Sequence, residues 1–263
     1  MQVYPSFAGA YRSLEDDFRN RAHPVHAPRW QAVDVSRKPE MAMRELFPVS
    51  FSVPLRGLED LSHWQADIMP NLPFADVHFD ERVGGIGTNP GEAWKIWPWG
   101  NAADGHRTEE GGRFTHTYQE RFWPTNLEDK EAKPQGIRYP YADYMDLLSH
   151  LQEDPLSRQA FFPIWYPEDG KTRGRKPCTL GYHFFMRFDY LHVIYYIRSC
   201  DFIRHFRDDC YLTVRLLLHT LDILRKRSDF WRDVKPGMFI MHITSLHMFV
   251  NDFNQLRGKV APR

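Results

Sequence analysis

The stretch from Lys176 to Leu212 constrains this chain more than any other. Within it, Tyr182 to Ile197 is crowded with Phe, Tyr, Ile and Val and bounded by charge. A run of that kind is β-prone and reads as one or two buried strands. Directly afterwards, Asp209 to Arg227 carries Leu212, Leu216, Leu217, Leu221 and Leu224 at helical spacing. Arg225, Lys226 and Arg227 close that helix at the end its dipole leaves negative. A further alternating run, Met238 to Thr244, predicts a last strand. Buried strands beside a long amphipathic helix predict an α/β (α+β) chain.

The chain has 263 residues, 42% of them hydrophobic and 26% charged, enough for one large core or two small ones. A single domain over residues 1–263 is expected. The formal net charge is zero, which removes any global electrostatic reason to bind nucleic acid or an anionic membrane. One phosphate group needs only a local cluster of arginines. No apolar run reaches the length of a membrane span. Cys178, Cys200 and Cys210 form no CxxC pair and follow no secretory leader, so a reducing cytoplasm is the expected compartment.

Earlier in the chain, Phe7, Ala10, Tyr11, Leu14 and Phe18 predict an amphipathic helix over 6–19. His23 and His26 are metal-ligating types, but in a proline-rich connector they read as a solvated loop, and no metal is expected. Alternation predicts strands at Trp30–Val35 and Pro48–Val53, and a helix is expected from Leu58 to Met69, before Pro70 and Pro73. The turn Gly84–Pro90 lacks the Lys-Ser/Thr ending of a phosphate-binding loop, so its glycines are turn residues. Residues 101–112 read as a polar surface loop and 127–136 as a charged connector. A helix is expected over Tyr141–Glu153 and a strand over Phe161–Tyr166.

Pro177-Cys178, then Arg198-Ser199 with Asp201, then Phe206 and Asp208-Asp209, resemble the thymidylate synthase superfamily in order and spacing. Asn89–Trp97, Asp154–Arg158 and Ile243–Phe249 add to the resemblance, which covers roughly residues 80–253. Within the superfamily the chain is most similar to the bacteriophage deoxycytidylate hydroxymethylase branch. The resemblance implies a mixed, twisted sheet packed with helices, the sheet forming a homodimer interface, with residues 1–54 a divergent N-terminal helix and strands. It implies transfer of a one-carbon unit from 5,10-methylenetetrahydrofolate, a co-substrate, to C5 of a pyrimidine nucleoside monophosphate. A phage origin would place the enzyme in the host cytoplasm.

That chemistry demands one activated sulfur, because a thiolate added at C6 makes the electron-poor ring nucleophilic at C5. Cys178 is the candidate. Arg175, Lys176 and, by resemblance, Arg198 surround it with positive charge, which favours the thiolate; Cys200 and Cys210 read as inert core. Asp209 stands where thymidylate synthases carry an asparagine. A carboxyl suits cytosine, accepting from the amine and, when protonated, donating to the ring nitrogen. Its bland alternative is an aspartate at a helix start, satisfying free backbone amides. By resemblance Arg198, Ser199 and the partner-directed Arg158 hold the phosphate, with Arg37 a further candidate, while Arg204 and Arg207 read as surface charge. The resemblance also gives His247 to the sugar, Tyr118 to the nucleotide, and Asp201 and Trp97 to the folate. Glu81 and Glu92 compete for the glutamate that orders water at the base. The chain departs from the family at Gln159, His183 and Phe249. The reading is therefore dCMP hydroxymethylation. A dCMP methyltransferase, a dUMP hydroxymethylase, a divergent thymidylate synthase and a catalytically silent nucleotide-binding relative remain as alternatives.

Overall fold

The computed structural model describes residues 1–30, 33–99, 112–130, 143–170 and 175–258. In chain order its strands are β1 (Gln2–Val3), β2 (His23–Val25), β3 (Arg29–Trp30), β4 (Val33–Asp34), β5 (Met43–Leu46), β6 (Val49–Pro54), β7 (Phe161–Pro163), β8 (Thr179–Arg187), β9 (Tyr190–Asp201) and β10 (Lys235–Phe249). Its helices are α1 (Phe7–Arg21), α2 (Leu61–Ile68), α3 (Phe74–Val83), α4 (Tyr118–Phe122), α5 (Tyr144–Glu153), α6 (Phe206–Arg227) and α7 (Val250–Gly258). The readings of 101–112 and of most of 127–136 lie outside the described residues.

β10 is the spine of a mixed sheet. It pairs in parallel with β9 on one side and antiparallel with β6 and then β5 on the other. β8 and β7 extend the β9 side antiparallel, β1 lies parallel to β6, and β2 pairs with β5. The long apolar run is thus two strands. Phe188 and Asp189, with φ of 53° and 61°, make the tight turn between them, the left-handed pair that matches the twist of a two-residue hairpin.

One cluster of buried side chains runs from Tyr4 to Leu256. The five leucines read from the sequence all face it from α6, and Phe7, Ala10, Leu14 and Phe18 of α1 cover it further along. On the other face of the sheet, His183, Phe185, His192, Ile194, Tyr196, Ile240 and His242 stay partly exposed. No helix among the described residues is long and apolar enough to cross a membrane.

Several local readings need correction. His23 lies in β2, because its segment finds a pairing partner in β5. Trp30–Val35 is split into β3 and β4, which pair antiparallel as a separate two-stranded sheet. β10 extends to 15 residues, well beyond the expected run, because neighbours on both sides supply its hydrogen bonds. α6 starts at Phe206, three residues ahead of Asp209, so Asp209 sits inside the helix, where its amide already bonds to the His205 carbonyl at 2.8 Å.

At the start of β8 the register slips. Thr179 pairs with Ile197 but Gly181 with Tyr196, so β8 carries one extra residue, a β-bulge. The bulge turns Thr179 toward the same buried side as Tyr182; both are 1% exposed. Gly181 beside it has no room for a side chain. A Cβ there would lie 2.7 Å from the Phe162 carbonyl oxygen and 2.5 Å from the Phe161 ring. Gly181→Ala is therefore expected to destabilise the protein by about 1–3 kcal/mol, the usual cost of overpacking. Urea unfolding followed by tryptophan fluorescence measures the loss.

Candidate functional site

Cys178 is the last residue before β8, and the neighbouring strand fixes its place. The Arg198 amide bonds to the Cys178 carbonyl at 2.9 Å. The Arg198 side chain then turns back along the same segment. Nε donates to the Pro177 carbonyl at 2.8 Å and Nη2 to that of Lys176 at 3.0 Å, while Nη2 stands 4.0 Å from the Cys178 sulfur. One guanidinium thereby ties down the loop and sets a positive charge beside the thiol. A second anchor is the buried pair Arg121 and Asp169, joined at 2.9 and 3.0 Å, with Lys176 reaching the Asp169 carbonyl.

The sulfur opens onto two adjoining cavities. The larger, about 780 Å³, is walled by Trp97, Trp99 and Trp165, by the ends of β9 and β10 through Ser199, Asp201, His247 and Phe249, and by Arg175, Arg198 and Arg204. The smaller, about 130 Å³, is walled by Glu81, Arg82, His116, Tyr118, Gln119 and Asp209. Trp97, Arg175, Cys178, Ser199 and His205 belong to both. Trp97 and His205 stack there, with ring centres 5.2 Å apart and planes 10° from parallel.

Asp209 faces the smaller cavity from the first turns of α6. Its oxygens receive the Tyr195 hydroxyl at 3.4 Å and the Cys200 thiol at 3.4 Å. They cap no backbone amide among the described residues, which removes the helix-start alternative. Burial pushes its pKa up to about 7, against the pull of the nearby Arg82 cation and of the Cys200 and Tyr195 hydrogen bonds. Asp208 lines the same cavity but is held by other partners. It receives the Asn71 amide at 2.8 Å and side chain at 2.9 Å, and burial raises its pKa to about 6.

Arg82, a residue the sequence reading passed over, is 5% exposed. Its guanidinium donates to His78 Nε2 and, at 3.3 Å, to the Tyr182 hydroxyl, and lies 4.3 Å from the centre of the Tyr118 ring. Tyr118 in turn accepts from the Thr179 amide and hydroxyl at 3.4 and 3.3 Å, and burial raises its pKa. His116 is buried beside Arg175, Arg121 and Arg198; burial, with those charges, drives its pKa well down, leaving a neutral imidazole on the cavity wall.

The other expected residues divide. Glu81 lines the smaller cavity, its carboxylate receiving the Ala93 amide at 3.0 Å, the Gln119 amide at 2.6 Å and the Glu92 amide. Glu92 turns to solvent and pairs with Lys95 at 2.7 Å, so of the two glutamates only Glu81 reaches the site. Gly91, at φ 78°, makes that approach possible, since a Cβ there would meet the Glu81 carboxylate at 2.8 Å. Ser199 and His247 meet across β9 and β10 at 3.5 Å. Asp201 lines the larger cavity, but its oxygens already hold the Ile203 and Arg204 amides and the Arg204 side chain, each at 3.0 Å. Arg204 is therefore no surface charge. It bridges Asp201 and Asp252 and lies 5.2 Å from Trp99 and 5.1 Å from Phe249. Arg37 and Arg158 are exposed and line neither cavity. His183 sits outside the pocket as well, bonding to the Arg158 carbonyl at 3.1 Å. Cys200 and Cys210 are free and 1% exposed, and burial lifts both thiols well above their ordinary range.

At one end of this mixed sheet, an accessible thiol and the Asp209 carboxyl line the same small cavity. The chain belongs to the thymidylate synthase family, whose profile matches residues 79–262. It is 27% identical to a thymidylate synthase of Rhodopseudomonas palustris (strain BisA53) over 126 residues, 47% of this chain and 40% of that protein. The match thus spans well under half of the curated relative. The fold is that of the thermostable thymidylate synthase A from Bacillus subtilis, with a TM-score of 0.65 and 14% identity over 95% of this chain and 82% of that one.

The raised Asp209 pKa carries a stability consequence. An acid with an unfolded pKa of about 3.9 and a folded pKa near 7 binds its proton more tightly when folded, so its contribution falls as pH rises between those values. Asp209→Asn is expected to raise the thermal midpoint more at pH 8 than at pH 4.5. Calorimetry at the two pH values reads the difference.

Proposed function

We propose that this protein is a folate-dependent transferase that adds a one-carbon unit to C5 of a pyrimidine nucleoside monophosphate, with dCMP as substrate and 5-hydroxymethyl-dCMP as product. The observation that carries this reading is the pairing, across one small cavity, of the Cys178 sulfur with an Asp209 carboxyl held near neutrality. A neutral carboxyl offers the donor and acceptor that the N3 and amino edge of cytosine require, whereas uracil presents an imide hydrogen and a carbonyl.

The residues divide the work as follows. The Cys178 thiolate adds to C6, and Asp209 gives its proton to N3 as electron density moves onto that nitrogen. Arg198 stabilises charge on the sulfur when it adds and again when it leaves. In this reading Arg198 and Ser199 hold the phosphate, supported by their place on the cavity wall, with Arg175, at the junction of the cavities, as a further cation. Arg158 is exposed ahead of β7, as suits an arginine given to a second copy in a homodimer. The larger cavity fits a pterin. It has three indole walls, and the Trp99 Nε1 is buried without a hydrogen-bond partner among the described residues. Bound there, methylenetetrahydrofolate supplies an electrophilic one-carbon unit to C5. Trp97, Trp99 and Asp201 would hold it, and the same walls exclude bulk water from the smaller cavity.

Mass spectrometry of dCMP, dUMP and CMP incubated separately with methylenetetrahydrofolate tests the reading. A 5-hydroxymethyl product from dCMP is expected, and its loss by several orders of magnitude in Cys178→Ala. A methyl product would make hydride the final nucleophile. Preference for dUMP would overturn the role given to Asp209, and no one-carbon adduct on any nucleotide would overturn the enzyme itself.

A further inference from the structure

Four hydroxyl and carboxyl groups run in a line beneath the smaller cavity. The Asp209 Oδ1 lies 3.4 Å from the Tyr195 hydroxyl, which lies 2.9 Å from Thr179 Oγ1, which lies 3.3 Å from the Tyr118 oxygen. The two ends, Asp209 and Tyr118, line the cavity with Cys178, and the two middle members do not. Thr179 and Tyr195 are each 1% exposed, so bulk water does not reach the chain along its length. Simple packing asks for no such line. Phenylalanine at 195 and valine at 179 would fill the same space with no polar groups to satisfy.

We propose that the hydroxyls of Thr179 and Tyr195 form a dry relay that carries a proton beneath the substrate ring, between the Tyr118 phenol on one wall and the Asp209 carboxyl on the other. The proposal deepens the transferase reading and rests on it. When Cys178 adds to C6, Asp209 gives its proton to N3 and is left as a carboxylate. When the one-carbon unit has joined C5, the C5–H bond must break. Its electron pair forms the C4–C5 double bond and neutralises the protonated N3–C4 unit. The released proton passes to the Tyr118 oxygen, the Tyr118 proton to Thr179, that of Thr179 to Tyr195, and that of Tyr195 to the waiting Asp209. Every hydroxyl ends as it began, and Asp209 recovers its proton.

The geometry suits this use. A hydroxyl chain between a carboxyl and a phenol has two orientations, one for each protonation state of the carboxyl, so giving up the N3 proton is what turns the chain to receive. Burial holds Asp209, Tyr118 and Tyr195 all toward their protonated forms. The Arg82 guanidinium over the Tyr118 ring stabilises the negative charge that builds on its oxygen during transfer. The bulge in β8 is what brings the Thr179 hydroxyl into line.

The test compares hydrogen release from C5-tritiated dCMP, in the presence of methylenetetrahydrofolate, for wild type, Thr179→Val, Tyr195→Phe, the double variant and Thr179→Ser. Nucleotide dissociation constants and thermal melts are measured alongside. The relay predicts a loss on the order of 10-fold or more in release for each single variant. It also predicts a double variant no worse than either single one, near-normal nucleotide affinity, a solvent deuterium isotope effect that shrinks with the chain broken, and recovery in Thr179→Ser. If Thr179→Val does not fold, Tyr195→Phe and Thr179→Ser carry the comparison. Wild-type release with variants releasing at the same rate and with the same isotope effect would overturn the relay and leave the transferase reading standing. No release from wild type would overturn both.

Discussion

The site depends on one guanidinium. Arg198 is rigidly carried by β9, and by holding two successive carbonyls of the segment before β8 it converts a loop end into a fixed platform for the sulfur. A lysine could supply the charge but not the fork that grips two carbonyls at once. β9, which carries the clamp, runs parallel to β10. Their last residues, Ser199 and Asp201 with Ser245 and His247, are paired in register and open together onto the larger cavity.

Opposite the sulfur, burial and charge act against each other on Asp209. Desolvation alone would make it a permanent acid, and Arg82 alone would make it a permanent anion. Desolvation outweighs Arg82, and the balance leaves a carboxyl with a pKa of about 7, able to change state at neutral pH. The balance exists because α6 begins early. Three residues of helix ahead of Asp209 lift it off the helix end, where backbone amides would have fixed it as a carboxylate.

Much of this was legible in the chain. The β-hairpin and the leucine face of α6 stand in contiguous sequence, where periodicity carries the signal; Cys178 and Asp209, singled out by the family resemblance, line one cavity. What escaped were side chains whose meaning depends on partners far along the chain. Arg82 reads as an ordinary helix residue until Tyr182, a hundred positions later, is set against it. Arg204 reads as surface charge until Asp252 closes over it. Glu81 and Glu92 are alike in sequence and are separated only by Gly91, which lets one carboxylate fold back and leaves the other in water. His23 was misread because a three-residue strand has no pattern of its own and exists only through its neighbour β5.

The extra residue at the head of β8 has a wider meaning. Side chains on a strand alternate, so Thr179 and Tyr182, three positions apart, would face opposite sides of a regular strand; the extra residue puts both on the buried side, and counting by twos through it would assign the wrong face to everything before Gly181.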